Sequence, residues 1–189
     1  MERCLWCLRD KMYMKYHDEE WGTPIHDDIK QFEFLVLESA QAGLNWYMVL
    51  QKRENYRNAY KGFNPVSVAK FTEKDVDMLM NNSGIIRNRV KIEASINNAK
   101  RFLEIQKEFG SFDRYLWNFV DFKPVVGGWK SLSEIPAKTE LSDKISSEMK
   151  KRGFKFLGST IIYAHLQAVG LINDHLVTCF RYKELLKDS

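Results

Sequence analysis

The spacing of apolar residues limits the fold of this chain more than any other feature. Alternation of β-branched and polar residues is nearly absent, and Gly and Pro supply only 10 and 4 of the 189 residues. Apolar residues instead recur three and four positions apart, as they do on one face of an α-helix. No segment of the sequence is repeated elsewhere in the chain. The pattern therefore predicts an all-α fold.

Capping and breaking residues predict where the helices lie. Asp27 or Asp28 can cap a helix through residues 31–42 that stops at Gly43, and this helix is apolar on almost every side. Thr72 and Asp75 resemble a capping box. Further helices are predicted over residues 45–60, 85–109, 142–151 and 160–169, with a flexible loop around residues 124–128 and a polar tail at 183–189, which could begin at Arg181. We expect the helix that stops at Gly43 to be central.

The composition is that of a folded, soluble domain. Hydrophobic residues make up 44% and charged residues 29%, and the length suits one domain over residues 1–189. The net charge of +4 permits a nucleic-acid partner without requiring one. No apolar stretch is long enough for a membrane span, and the opening MERCLWCLRD does not look like a signal peptide. We expect a cytoplasmic monomer with no membrane segment and, with three cysteines, no disulfide framework.

Residues 150–160 predict a tight basic hairpin between two helices. Gly153 and Gly158 allow the backbone to turn and to approach a partner closely. Ser159 and Thr160 can cap the following helix, whose first N–H groups suit a phosphate. Positive charge around the turn comes from Lys150, Lys151, Arg152 and Lys155. The alternative is an ordinary turn with a solvated basic flank, and this segment alone supports the two interpretations about equally.

Cysteine and histidine occur near both ends of the chain. His175 and Cys179 are four apart, so on a continuing helix both would project from one face as two metal ligands. Cys4, Cys7 and His17 lie at the other end, and the spacing by itself favours Cys4 with Cys7. A closed structural site would join residues 1–25 to residues 170–182. The alternatives are that the cysteines are small buried apolar residues or the redox-sensing thiols of a different class of protein.

Glu38 lies in the apolar helix, where a carboxylate is costly to bury unless it is paired. Trp46 follows after the Gly43 break. Aromatic faces beside an acid suit a flat, electron-poor ring such as an alkylated purine. The competing interpretation places Glu38 on a narrow exposed stripe with Gln31 and Gln41, and the aromatic residues in the core. The other aromatic side chains near the N-terminal metal candidates are Trp6, Tyr16 and Trp21.

Six blocks of sequence carry a resemblance to a known family. MERCLW, YHDEEWG, LESAQAGLNW, NSGIIRNRVKI, KRGFKFLGST and LINDHLVTC occur in order across about residues 1–180. Together they closely resemble the DNA-3-methyladenine glycosylase I family of the helix-hairpin-helix superfamily. The resemblance implies an all-α helix-hairpin-helix DNA glycosylase fold, one structural zinc ion, and hydrolytic excision of 3-methyladenine from alkylated double-stranded DNA.

The resemblance also implies roles for individual residues. Glu38 and Tyr16 would be the catalytic residues, with Glu38 reading the hydrogen-bonding edge of a flipped base, Trp46 stacking on it, and Trp6 and Trp21 lining the pocket. The zinc ligands implied are Cys4, His17, His175 and Cys179. The residues implied to grip the DNA backbone are Gly153, Lys155, Gly158, Ser159 and Thr160.

The chain also departs from other helix-hairpin-helix glycosylases. Those enzymes carry a catalytic Asp two residues before the position of His175, where this chain has Asn173. Asp174 is adjacent but would point elsewhere on a helix. Thr160 lies near the position of the Schiff-base lysine of bifunctional relatives, so we expect no lyase activity. The alternative function is a zinc-stapled helical DNA-binding module that recognises damage without catalysis.

Overall fold

The computed structural model describes residues 2–187, and most of them are helical, as predicted. The α-helices are α1 (Lys11–Glu19), α2 (Asp28–Gln41), α3 (Trp46–Gln51), α4 (Arg53–Ala59), α5 (Pro65–Val68), α6 (Glu73–Met80), α7 (Arg89–Phe109), α8 (Phe112–Trp117), α9 (Glu140–Lys151), α10 (Ser159–Ala168) and α11 (Phe180–Leu185). Single turns of 3₁₀-helix lie at Leu5–Cys7, Lys61–Phe63, Asn118–Val120 and Leu132–Glu134. Within the described residues, no helix is both long and apolar enough to cross a membrane.

Side-chain caps set several of the helix starts. The Asp27 carboxylate accepts a hydrogen bond from the Lys30 N–H at the start of α2, and the Asn88 side chain does the same for α7. The predicted capping box of Thr72 and Asp75 is present at α6. Because each such cap is worth about 1 kcal/mol, they fix boundaries more than they stabilise the whole fold.

Helix α2 is the centre of the molecule, as its apolar pattern predicts. It packs against α3, α7, α8 and α10. Phe32, Phe34 and Leu37 have no exposed surface. Gln31 is also fully buried and Glu38 is only 4% exposed, so the exposed stripe proposed for these two residues is wrong.

Three predicted local structures are wrong. The helix expected over residues 45–60 is divided at Lys52, whose N–H bonds the carbonyl of Val49 instead of continuing the α-helical ladder. The expected polar tail begins instead with α11, because Leu185 is buried and draws this segment onto the protein. Residues 188–189 of that tail lie outside the described residues.

The third wrong prediction concerns the loop at residues 124–128. It contains strand β1 (Val125–Val126), which pairs in parallel with β2 (Ile172–Asn173). The N–H of Val125 donates to the carbonyl of Leu171 at 2.8 Å. This pairing holds the chain after α10 in an extended conformation. His175 and Cys179 therefore do not share a face of one helix, contrary to the prediction.

Candidate functional site

A cavity of about 210 Å³ opens between α1, α2, α3 and α10. Its volume is several times the roughly 30 Å³ that one water molecule occupies in the liquid. The lining side chains are Trp6, Tyr13, Tyr16, Trp21, Glu38, Gln41, Trp46, Ala164 and Gln167. The structure thus brings together all five residues that were expected to form a pocket.

Glu38 supplies the acid of this cavity. Its carboxyl group makes no hydrogen bond with any residue of the described chain, and burial raises its pKa from 4.5 to about 8. The end of α2 that carries it is held by Lys91, whose ammonium donates to the carbonyl oxygens of Ala40 and Ala42. A ligand with a positive charge or N–H donors would favour the carboxylate form of Glu38.

Aromatic rings form the walls around Glu38. The Trp46 and Tyr16 ring centroids are 5.6 Å apart, and Trp6 lies 4.9 Å from Tyr13 and 5.1 Å from Trp21. Burial, and secondly the nearby Glu38, raises the pKa of Tyr16 well above its usual value. The Tyr16 phenol is therefore a neutral hydroxyl in this site. Such a cavity suits a flat ring that carries positive charge or N–H donors.

Four lining residues were not predicted. Tyr13 lies three residues before Tyr16 on α1, and Gln41 lies three residues after Glu38 on α2, so helical spacing could have found both. The contribution of Gln167 from α10 depends on how that helix packs against α2, which no local pattern reveals.

Two cysteines and two histidines meet beside the cavity. The ligand atoms of Cys4, His17, His175 and Cys179 all lie within 4.8 Å of one another, and all four residues are buried. Cys7 is not part of this group, because its thiol donates to the carbonyl oxygen of Cys4 at 3.1 Å. This cluster could hold a metal ion. Of the two partners considered for Cys4, the fold places the side chain of His17, and not that of Cys7, in the cluster.

Hydrogen bonds orient both imidazoles of the cluster. His175 Nε2 lies 2.9 Å from the carbonyl oxygen of Trp21, and His17 Nδ1 lies 2.8 Å from the Asp18 carboxylate. Both oxygens are acceptors, so these nitrogens carry the protons. His175 Nδ1 and His17 Nε2 therefore direct lone pairs toward the sulfur atoms, as metal ligands do.

The two sulfur atoms of the cluster shift each other's pKa in opposite directions. The hydrogen bond between the Cys4 thiol and the Cys179 sulfur is the largest cause that raises the pKa of Cys4 and lowers the pKa of Cys179. A bound cation would favour the thiolate form of both sulfur atoms.

The cluster also forms the outer support of the cavity. The Trp21 ring packs edge-on against His175 at 4.6 Å, and the Trp6 ring packs edge-on against His17 at 5.3 Å. Two walls of the cavity therefore rest on imidazoles of the cluster.

The predicted basic hairpin joins α9 to α10. Gly153 has a φ of +85°, which few other residues adopt. The buried side chains of Phe154 and Leu157 anchor the turn. Asn98 of α7 accepts from the Lys155 N–H and donates to its carbonyl, each at 2.8 Å, so the backbone is held while the Lys155 side chain stays exposed.

The start of α10 differs from the prediction. Its N-cap is Gly158, which supplies no side chain, so capping by Ser159 or Thr160 is wrong. The Ser159 hydroxyl instead lies 2.8 Å from that of Ser142 on α9 and ties the two helices together. Thr160 is exposed beside it.

Asn173 and Asp174 are buried and do not line the cavity. The Asn173 side chain accepts from the His175 N–H at 3.3 Å. Because this segment is extended rather than helical, Asp174 turns toward α10, where it contacts Tyr163 and Gln167.

The fold and the cavity define a helical protein with a buried acid inside an aromatic-walled cavity. The model of one family, methyladenine glycosylase, matches residues 6–182. The chain belongs to the methyladenine glycosylase family.

Named relatives agree over almost the whole chain. A DNA-3-methyladenine glycosylase 1 from Escherichia coli (strain K12) is 50% identical over 182 residues, which are 96% of this chain and 97% of that protein. A crystal structure of a 3-methyladenine DNA glycosylase I has a TM-score of 0.92 at 47% identity and covers 95% of this chain and 98% of its own. A structure that describes 3-methyladenine recognition by the Staphylococcus aureus enzyme has a TM-score of 0.91 at 37% identity, with coverage of 95% and 96%.

Proposed function

We propose that this protein is a base-excision repair glycosylase that removes 3-methyladenine from alkylated double-stranded DNA. The observation that carries this proposal is the unpaired, buried carboxyl of Glu38 inside a cavity with aromatic walls. A protein that only binds the DNA backbone would not need a cavity of the size of a base. The names of the relatives agree with this function.

Recognition would depend on charge and hydrogen bonding together. Methylation at N3 gives adenine a positive charge while it is attached to the sugar. In the cavity, Trp46 would stack on the flipped base, Glu38 would accept hydrogen bonds from its N–H edge, and the Tyr16 hydroxyl would contact it. The cation would also lower the pKa of Glu38, so binding and ionisation of the acid would favour each other.

The chemistry needs little acid catalysis. When the bond between the sugar C1′ and the base nitrogen breaks, its electron pair moves to the base and neutralises the positive charge. Water adds to C1′ and loses a proton to solvent. The enzyme must supply extrusion of the nucleotide, at a cost of a few kcal/mol, and positioning of the cationic base and sugar. A chain with Asn173 in place of a catalytic carboxylate can therefore be active.

The proposed enzyme is monofunctional. A lyase needs an amine that attacks C1′, and none of the residues around the cavity is a lysine. Lys155 lies in the hairpin instead, where it would contact phosphate.

Zinc is the metal that suits the Cys and His cluster. Typical zinc bond lengths of about 2.3 Å to sulfur and 2.0–2.1 Å to nitrogen require sulfur–nitrogen separations of about 3.6 Å in a tetrahedral site. The separations here are 3.8 Å from Cys4 to His175, 3.6 Å from Cys179 to His175, and 3.5 Å from Cys179 to His17. With all four positions filled by protein, zinc would be structural and would join the two ends of the chain.

DNA would be held by the α9–α10 hairpin. Gly153 and Gly158 let the backbone come close, Lys155 would pair with a phosphate, and the first N–H groups of α10, at Ser159 and Thr160, would point at another. Helix-hairpin-helix binding of this kind does not depend on sequence, which suits a repair enzyme. We further propose that the protein acts as a monomer in the cytoplasm.

Release of free 3-methyladenine from methylated duplex DNA tests the proposal. Purified wild-type protein should release the base, and Glu38→Ala should lose most release while duplex affinity is largely kept. No release by folded, zinc-loaded protein would refute catalysis and favour a damage-binding module. The same DNA, analysed without alkaline treatment, should show no strand cleavage; cleavage would contradict the monofunctional assignment.

A further inference from the structure

Asp174 is a buried carboxylate with three donors. It is 1% exposed. Its Oδ1 accepts from Trp129 Nε1 at 2.6 Å, and its Oδ2 accepts from the Tyr163 hydroxyl and from Gln167 Nε2, the latter at 2.8 Å. Asp174 belongs neither to the cavity lining nor to the metal cluster. One of its three partners, Gln167, does line the cavity.

This contact fixes the orientation of an amide in the cavity wall. A carboxylate is an acceptor only, so the NH₂ group of Gln167 must face Asp174, and its carbonyl Oε1 must face away. The backbone of Gln167 is held as well, because its carbonyl accepts from the Gly22 N–H at 3.0 Å. Gln167 therefore has little freedom to exchange the two ends of its amide.

We propose that Gln167 is a base-contacting residue that presents Oε1 to an N–H donor of the bound base, and that Asp174 is the positioning residue that sets this orientation. The inference rests on the proposed function. With Glu38, the cavity would then hold two acceptors. A base edge that carries N–H donors binds well, whereas a carbonyl oxygen at the same edge faces an acceptor and is rejected.

The Asp174→Asn variant tests the orientation. An Asn side chain can donate as well as accept, so the Gln167 amide can turn and place its NH₂ in the cavity. Affinity for free 3-methyladenine, measured by quenching of the fluorescence of the cavity tryptophans, should fall about tenfold, as expected for one hydrogen bond of about 1.4 kcal/mol. Gln167→Met, which has a similar shape and no amide, should lose a similar factor.

The double variant separates positioning from a structural role. If Asp174 acts through Gln167, the variant with both changes binds the base no more weakly than Gln167→Met alone. Trp129→Phe is the matched control, because it removes the donor to the other oxygen of Asp174 and leaves the Gln167 contact in place. This control should bind 3-methyladenine within about twofold of wild type.

Wild-type affinity in either single variant would overturn the inference, and so would losses that multiply in the double variant. Zinc content is measured throughout because Asp174 precedes His175 in the chain, and a loss of affinity that follows loss of zinc would equally count against positioning. If Asp174→Asn does not fold, wild-type affinity in Gln167→Met still overturns the inference, because positioning by Asp174 requires that Gln167 contact the base. Failure of wild-type protein to release 3-methyladenine from DNA would refute the proposed function instead, which keeps the two failures distinct.

Discussion

The buried acid in the cavity should make the protein less stable as pH rises. Glu38→Gln keeps the size of the side chain and removes its ability to ionise. In the wild type, burial raises the pKa of Glu38 from 4.5 to about 8, with no hydrogen bond to offset the desolvation. Below pH 4.5 the acid is protonated in both the folded and unfolded states, so it causes no penalty there.

The sign and size of the effect follow from proton linkage. Between pH 4.5 and 8 the unfolded chain loses the proton and the folded chain keeps it, so folding is disfavoured by about 1.4 kcal/mol for each pH unit. The penalty reaches about 3 kcal/mol near pH 7 and levels off at about 5 kcal/mol above pH 8. Glu38→Gln removes this penalty, so the variant should become progressively more stable than wild type as pH increases.

Urea unfolding of both proteins from pH 5.5 to 9, with zinc in excess, measures this difference. Contributions from the Cys and His cluster and from the buried His165 are common to both proteins and cancel. We expect the difference in free energy of unfolding to rise with pH and to flatten near pH 8. A difference that stays constant, or that falls as pH rises, would refute the assignment of a desolvated acid at Glu38.

The remaining predictions concern the hairpin, the metal cluster and the core. Lys155→Ala should weaken binding to any duplex and reduce the salt slope by about one, with unchanged affinity for free 3-methyladenine; altered base affinity would contradict its role as a phosphate contact. Cys179→Ala should lose zinc and lower the melting temperature together, and a variant with full zinc would remove Cys179 from the ligand set. Glu33→Gln should cost about 1–3 kcal/mol in urea unfolding, because it removes the buried carboxylate between Arg53 and Arg57, which keep only their pairs with Glu20 and Glu54. A loss below about 1 kcal/mol would show that the pairs with Glu20 and Glu54 are enough to stabilise these arginines.

Local sequence predicted most of the helices correctly. The caps at Asp27 and at Thr72 with Asp75 mark helix starts, and the dense apolar pattern of residues 31–42 indicated a central helix. These are local effects, since a cap or a helical stripe involves residues only a few positions apart. The break at Lys52 was missed because it depends on how two short helices pack.

Sequence by itself also limited the site to a small set of candidates. The candidate metal ligands Cys4, His17, His175 and Cys179 and the acid at Glu38 were recognisable from residue chemistry together with the family resemblance. Spacing alone, however, would have paired Cys4 with Cys7, and it placed His175 and Cys179 on one helix.

Only the tertiary structure decided which side chains meet. Cys4 and His175 are 171 residues apart, and their side-chain atoms come within 3.8 Å because β1 and β2 hold the chain extended before His175. The contact between Asp174 and Gln167 has the same origin. Helical periodicity determines which face of a helix is apolar, but it does not determine which distant segment packs there, because that choice depends on the shape and polarity of the whole core.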